Sequence, residues 1–415
     1  MSNDPVVILG FDAVSPLGIE FESQWQRALA GQSGVGPLTR FPISDDFPVR
    51  IAGQAPSIDH LPYDFLTPRQ QARWPSPIFK YALLTASRAL NHSGLSITPE
   101  LAPRTAITFS SAIGGMDAVL AADRKLMGQG KLPPPFVNPN ACINMVGGKV
   151  SMHTGATGPI TTTITACATG LTSMIMGAML INDDRADVAI CGAVDFPLVE
   201  PIVAGFGTMG GAFVPKEGED AVPPEKASRP FSPGRRGFVI SEGAGCIIIA
   251  RLSFARAHGL AVAAQIAGWS MTADAYHHVA PNLKTVQRCI AESITRAGIT
   301  PDRISAVNAH AASTRVGDQV EAEALQQVFG SRIPPITANK SMIGHAMGAA
   351  SAIESIFAIQ GLKDGLLPPT INYTPDPALG LTRVVTSQRT LDQEYVLKNA
   401  FGFGGCNACM VIRKP

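Results

Sequence analysis

The chain has 415 residues, enough for two typical domains or one large α/β unit with a sizeable core that needs no metal or disulfide staple. Its formal net charge of +1 gives no electrostatic footing for nucleic acid or an anionic membrane surface as a partner. Hydrophobic residues make up 46% and charged residues only 16%, a lean surface that points to cover by another subunit.

The first segment, PVVILGFDAVSPLG, is an apolar β-branched run that predicts a strand entering a loop. Residues 76–92 have helical spacing, with Ile78, Ala82, Leu83 and Ala86 on one side. TAITFSSAIGG from Thr105 predicts a strand running into a glycine turn, and Thr161 to Thr165 is a β-branched run that predicts another. From Thr154 to Asn182 there is no charge, a length that could span a bilayer; its Thr, Gly and Pro159 favour a buried strand–turn–helix instead. ADVAICGAVD from Ala186 and GCIIIARL from Gly245 have the fully apolar pattern of buried strands. Pro215 to Gly237, rich in Pro, Gly and charge, reads as a surface loop.

The second half repeats the style. AVAAQIAGWSM from Ala261 predicts a strand, 284–297 a helix closed by Gly298, ISAVNAHAAST a strand and polar loop, and GDQVEAEALQQVF an amphipathic helix. PITANKSMIGHAMGAASAIESIFAI predicts strand, loop and helix, and EYVLKNAFGFGGCNACMVIRK two strands around a glycine turn. Strands alternating with helices in both halves indicate parallel or mixed sheets covered by helices. Each half carries a reactive side chain in a strand–loop–helix, Cys167 in one and His345 in the other, which hints at an internal duplication.

Seven cysteines, with no pair of CxxC motifs at zinc spacing, predict free thiols in a reducing, cytoplasmic setting. Cys406 and Cys409 read as two small buried thiols near a C-terminal strand. The N-terminus shows no basic and apolar signal-peptide pattern. Neither HxH nor HxxxH occurs, so no metal site is expected. Phosphate-loop and dinucleotide motifs are also missing.

Cys167 in TACATG sits where a strand should turn into a helix N-terminus, whose free N–H groups and dipole would lower a thiol pKa. The alternative is a buried structural cysteine, and this feature alone does not separate the two. His310 follows a predicted strand, and His345 precedes a helix of small residues with Lys340 five positions upstream. NAFGFGGCN, from Asn399, offers a tight turn whose backbone N–H groups could face a ligand oxygen, or an ordinary hairpin.

Together TACATG, NAH at Asn308 to His310, KSMIGH, GAASAIES, FGFGG and SRPFSPGRRGFVISEGAG resemble the β-ketoacyl-ACP synthase family of the thiolase superfamily, in collinear order from about residue 5 to 412. The resemblance implies a thiolase-like α/β fold of duplicated βαβαβαββ halves in five αβαβα layers. It implies a division at 1–258 and 259–415. Cys167 would carry the acyl group as a thioester. His310 and His345 would stabilise the enolate from decarboxylating malonyl-ACP, with Lys340 in support and Glu354 and Asp318 behind it. The oxyanion hole would be the N–H groups of Cys167 and Phe403. Thr314, Phe403, Gly404, Ile113 and Phe206 would contact substrate.

No cofactor is implied, because substrates arrive on the phosphopantetheine arm of acyl carrier protein (ACP). Arg69, Arg73, Arg124, Lys125 and Lys131 are candidate ACP-docking bases. The partner subunit would be a second copy or a chain-length-factor relative. The family's usual HGTST stands here as HAAST, with Ala311 and Ala312, and GGTN as Gly404-Gly405-Cys406-Asn407. These changes favour a specialised polyketide or polyene pathway over housekeeping fatty-acid elongation. A papain-like hydrolase would need a different setting around Cys167. A degradative thiolase would carry a second cysteine where Phe403 stands, and a non-catalytic chain-length factor would lack Cys167.

Overall fold

The computed structural model describes residues 4–61, 65–215 and 222–415. In chain order the elements that place the site are β1 (Val6–Val14), α1 (Pro77–Ser93), β2 (Thr105–Ser110), α2 (Asn144–Thr154), α3 (Thr169–Asn182), β3 (Val188–Asp195) and β4 (Gly243–Arg251). The second half supplies β5 (Ala264–Ala273), α4 (Leu283–Arg296), β6 (Ile304–Asn308), α5 (Arg315–Phe329), β7 (Ile336–Thr337), α6 (Met347–Asp364), β8 (Tyr395–Gly402) and β9 (Cys406–Arg413).

Strand order is β2-β3-β4-β1-β5-β9-β8-β6-β7. Outward from the β1–β5 pair the two sides match strand for strand as far as β2 and β6. β2–β3 and β6–β8 are parallel, while β3–β4 and β8–β9, and β4–β1 and β9–β5, are antiparallel. The halves meet at β1 and β5 through three residue pairs, Val6–Ile8 against Ala264–Ile266. Even the edges correspond. β7 lies parallel to β6, and a lone parallel bridge sets Ile160 against Ile107 of β2. The duplication hinted at by Cys167 and His345 is therefore a topological fact.

Helices α3 and α6 pack on each other and touch strands of both halves, forming the middle of five layers; α1 and α2 cover the first half outside, and α4 and α5 the second. Three hydrophobic clusters follow from this. One surrounds α3 and α6, one lies under α1, and one lies under α4 and α5. The second half of the uncharged stretch is thus a central helix, whose residues from Thr169 to Ile175 are all buried. Among the described residues no helix is long and apolar enough to cross a membrane. α3 and α6 approach closely because Gly170 has no side chain: a Cβ there would lie 2.4 Å from the amide nitrogen of Ala352.

Three sequence expectations need correction. Residues 161–165 form no strand; among the described residues pairing stops at the Ile160 bridge, where the Thr161 amide bonds the Ile107 carbonyl, and Ile160 and Ile164 are 45% and 48% exposed. The span from Pro215 to Gly237 is not simply a surface loop. Lys216 to Ala221 lie outside the described residues, but Phe231 is fully buried, and Ser228, Ser232 and Arg235 nearly so. Arg235 can enter because it bonds Asp376 at 2.8 Å and the carbonyls of Ser232, Thr314 and Arg315. Of the cysteine pair, Cys409 is buried but Cys406 is only half-buried.

Candidate active site

Cys167 occupies a single 3-10 turn, Ala166–Ala168, that leads directly into α3. The turn is sharp: Ala166 has φ +48°, a left-handed conformation that L-residues adopt only when their surroundings demand it. Thr169 fastens it by donating to the carbonyl of Ala166 at 2.7 Å and accepting from the amide of Thr165 at 3.0 Å. The glycine turn between β8 and β9 presses on the same spot. A Cβ on Gly402 would lie 2.3 Å from the carbonyl oxygen of Thr165 and 3.1 Å from the nitrogen of Cys167.

His310 stands just past the end of β6, and His345 between the short helix Lys340–Ile343 and α6. The two rings lie 5.6 Å apart at 84°. Cys167, His310, His345, Gly402, Phe403, Ala312 and Thr314 line one cavity of about 70 Å³. A larger cavity of about 580 Å³, with His277, Arg236 and Arg315 in its wall, shares Phe238, Thr314 and Phe403 with it. Phe403 therefore stands on the wall between an outer vestibule and the thiol.

Burial removes both imidazoles from the charged state, and the neighbouring Lys340 ammonium adds to the effect, so both pKa values fall well below the ordinary 6.5. Lys340 Nζ lies 3.5 Å from His310 Nδ1 and donates to the His310 carbonyl at 2.7 Å. An ammonium on Nδ1 leaves the imidazole proton on Nε2, free for a substrate oxygen. Lys340 also pairs with Glu354 at 2.6 Å.

The sulfur does not follow the expectation drawn from the helix N-terminus. Burial pushes Cys167 up to about 11, outweighing Lys340 and the amides of Phe403 and of Cys167 itself, which pull it down. The unacylated site is thus a thiol under two N–H donors, and its proton must leave as the acyl group arrives.

The other expected residues divide. Ile113 and Phe206 pack with Phe403 in one apolar cluster but do not line the thiol's cavity. Gly404, at φ +78°, donates its amide to His278 and also lies off the cavity wall. Asp318 touches no reacting position. It holds the amides of Phe231 at 2.8 Å and Thr314 at 3.1 Å, and burial raises its pKa to about 7. Arg69, Arg73, Arg124, Lys125 and Lys131 are all exposed, and Arg124 is engaged by Glu200 at 2.8 Å.

Three charged residues near the site escaped the sequence reading. Asp195 ends β3 and receives the amides of Ala112, Ile113 and Gly348, tying the first half to the start of α6; burial brings it to about 6. Glu321 receives the amides of His310 and Ala311 at 2.9 and 2.7 Å. Lys398 pairs with Glu354 at 2.6 Å. Asp195 and Lys398 are lone charges in or beside an apolar run, and that pattern is the signal that could have found them; Glu321, one of three acids on an amphipathic helix, carries no such mark.

The β-ketoacyl synthase N-terminal domain model matches residues 3–255, and the β-ketoacyl synthase C-terminal domain model matches 263–374. The chain belongs to the β-ketoacyl synthase family. It is 36% identical to 3-oxoacyl-[acyl-carrier-protein] synthase 2 of Coxiella burnetii, over 100% of this chain and 99% of the relative. The enzyme of that name from Staphylococcus aureus (strain COL) is 35% identical over 99% of both. Among solved structures, a type II PKS ketosynthase in complex with its acyl-carrier protein superposes with TM-score 0.90 at 26% identity over 100% of both chains. The ishigamide ketosynthase/chain length factor gives 0.88 at 28%, again over 100% of both.

Proposed function

We propose that this ketosynthase joins an acyl-ACP to malonyl-ACP by decarboxylative Claisen condensation, giving β-ketoacyl-ACP, CO2 and free ACP. One observation carries the reading: a thiol under two N–H donors and two uncharged imidazoles converge on a single small cavity behind a phenylalanine. Cys167 sulfur attacks the acyl thioester carbon, and its proton leaves with the departing pantetheine thiol. The amides of Cys167 and Phe403 hold the tetrahedral oxyanion. In malonyl-ACP the bond to the carboxylate breaks, CO2 departs, and the thioester oxygen takes the charge against N–H groups of His310 and His345. The enolate carbon then attacks the acyl–Cys167 carbonyl, and the thiolate leaves and is reprotonated.

Intact-mass measurement after incubation with acyl-ACP tests the first step. An adduct is expected in wild type and lost in Cys167→Ala; no adduct with any acyl-ACP, with or without a partner subunit, sinks the reading. His345→Ala should acylate normally and lose malonyl-ACP decarboxylation.

For pathway, we favour a specialised polyketide or polyene system. Support comes from Ala312, which puts a methyl group on the cavity wall where the family usually has a hydroxyl, and from the likeness to the type II PKS ketosynthase. A clear preference for saturated acyl-ACPs over polyenoyl- or β-ketoacyl-ACPs would return the enzyme to fatty-acid elongation. The exposed Met116, Leu126, Met127, Leu132, Met152, Ile160, Ile164 and Met179 support cover by a second subunit, a copy of this chain or a chain-length-factor relative. A monomer by light scattering would count against it. Seven unpaired cysteines agree with a cytoplasmic setting.

A further inference from the structure

Lys398 takes no part in the steps above, and a lysine in its position calls for a reason. It is the fourth residue of β8, fully buried, and pairs across the parallel ladder with Asn308 at the end of β6. Its ammonium bonds one oxygen of Glu354 at 2.6 Å and reaches the carbonyl of Ala309 at 3.5 Å. Lys340 takes the other oxygen of Glu354 at 2.6 Å and the next carbonyl, that of His310, at 2.7 Å. From the opposite side Glu321 accepts the amide of His310, and Asn399 donates to the same Glu321 oxygen at 3.0 Å.

The peptide unit carrying His310 is thus clasped on both sides by charge. The groups facing it are Lys340, His345, Glu354 on α6, Glu321 on α5 and Lys398 on β8. Two carboxylates and two ammoniums stand in a space with essentially no solvent, each side chain at most 1% exposed. Removing either ammonium leaves an excess negative charge there, which raises the proton affinity of the carboxylates themselves and of the imidazoles beside them.

We propose that Lys398 is a positioning residue for the condensation: its ammonium balances Glu321 and Glu354 and so keeps His310 seated and uncharged against the enolate oxygen. This rests on the assignment of His310 to enolate stabilisation. Lys340 alone could anchor Glu354, but it cannot balance two carboxylates, and Lys398 supplies the second charge from a strand rather than from a bound ion. Burial is the larger influence on His310, and Lys340 and Lys398 act on it in the same direction.

The test compares wild type with Lys398→Met, which fills the same volume without charge, and with Lys398→Ala, which leaves room for a small amine. Histidine-labelled protein is titrated by NMR, and malonyl-ACP decarboxylation is followed with acylated Cys167. Lys398→Met should move the His310 titration to higher pH and lower kcat at least about tenfold with little change in KM. Lys398→Ala should regain rate with added methylammonium. A His310 titration unmoved in Lys398→Met overturns the proposal. So does Lys398→Ala protein that folds yet gains nothing from methylammonium, and this arm decides the matter if the Met variant does not fold. Failure of wild type to condense at all would strike the reading of the site instead, and the histidine titration would still report on Lys398.

Discussion

Glu354→Gln isolates what one buried carboxylate does between two ammoniums. The side chain keeps its size and one acceptor oxygen, but Lys340 and Lys398, each 2.6 Å away, lose their shared counter-charge. Removing one partner of a buried pair typically costs about 3–5 kcal/mol. The structure says how part of that cost behaves with pH. Burial lowers Lys398 from the ordinary 10.5 to about 8, against the pull of Glu354, which raises it. A folded pKa below the unfolded one means the folded chain binds fewer protons between those values. The penalty is therefore full below pH 8, at about 3 kcal/mol, and is relieved as pH rises from 8 to 10.5.

Without Glu354 the Lys398 proton leaves earlier. Holding the amine neutral at pH 7 costs about 5 kcal/mol relative to the unfolded value of 10.5. Lys398 thus adds on the order of 1 kcal/mol to the variant's deficit at pH 7, and that share shrinks as pH rises through 8. Urea unfolding followed by the fluorescence of buried Trp25 reads both quantities. A total deficit under about 1 kcal/mol at pH 7, or one that grows from pH 7 to 8, would refute the reasoning.

Gly402→Ala should push the glycine turn off the Cys167 turn, because its Cβ has no room. A loss of about 1–3 kcal/mol by urea unfolding is expected, with acylation by intact mass slowed far more than folding is weakened. Lys340→Met removes the strongest influence pulling the Cys167 pKa down, so alkylation by iodoacetamide at pH 8 should slow by at least about tenfold. Because both imidazoles have folded pKa values below the ordinary 6.5, wild type should lose stability as pH falls below 6.5, by up to about 2.7 kcal/mol per unit for the two; His345→Asn should halve that slope in acid unfolding.

Much of the chemistry was legible because it sits where strands end. His310 and the turn at Phe403 each follow a strand, Cys167 opens a helix, and such ends carry positioned side chains on a rigid frame. The strand forecast for residues 161–165 failed because β-branched residues report fitness for a pleated surface, not the presence of a neighbour to pair with. The segment around Arg235 misled in the opposite sense. Its charge and prolines suggest water, yet its guanidinium finds a carboxylate and three carbonyls inside. The lowered thiol pKa expected at a helix start was outweighed by burial, which depends on the second half of the chain packing over the first. Lys398 and Glu321 stayed hidden for a related reason. A charge on a strand or on an amphipathic helix has meaning only once its partners, dozens of residues away, are known to converge on it.

The mirrored sheet order has one more implication. The thiol enters on the middle helix of one half, while His345 precedes the middle helix of the other and His310 ends its β6. Bond making therefore occurs across a seam, and turnover acts as a gauge of how the two halves are registered. The strands bridge that seam through only three residue pairs, so the α3–α6 contact, with Gly170 fitted against Ala352, is what keeps the gauge at its working setting.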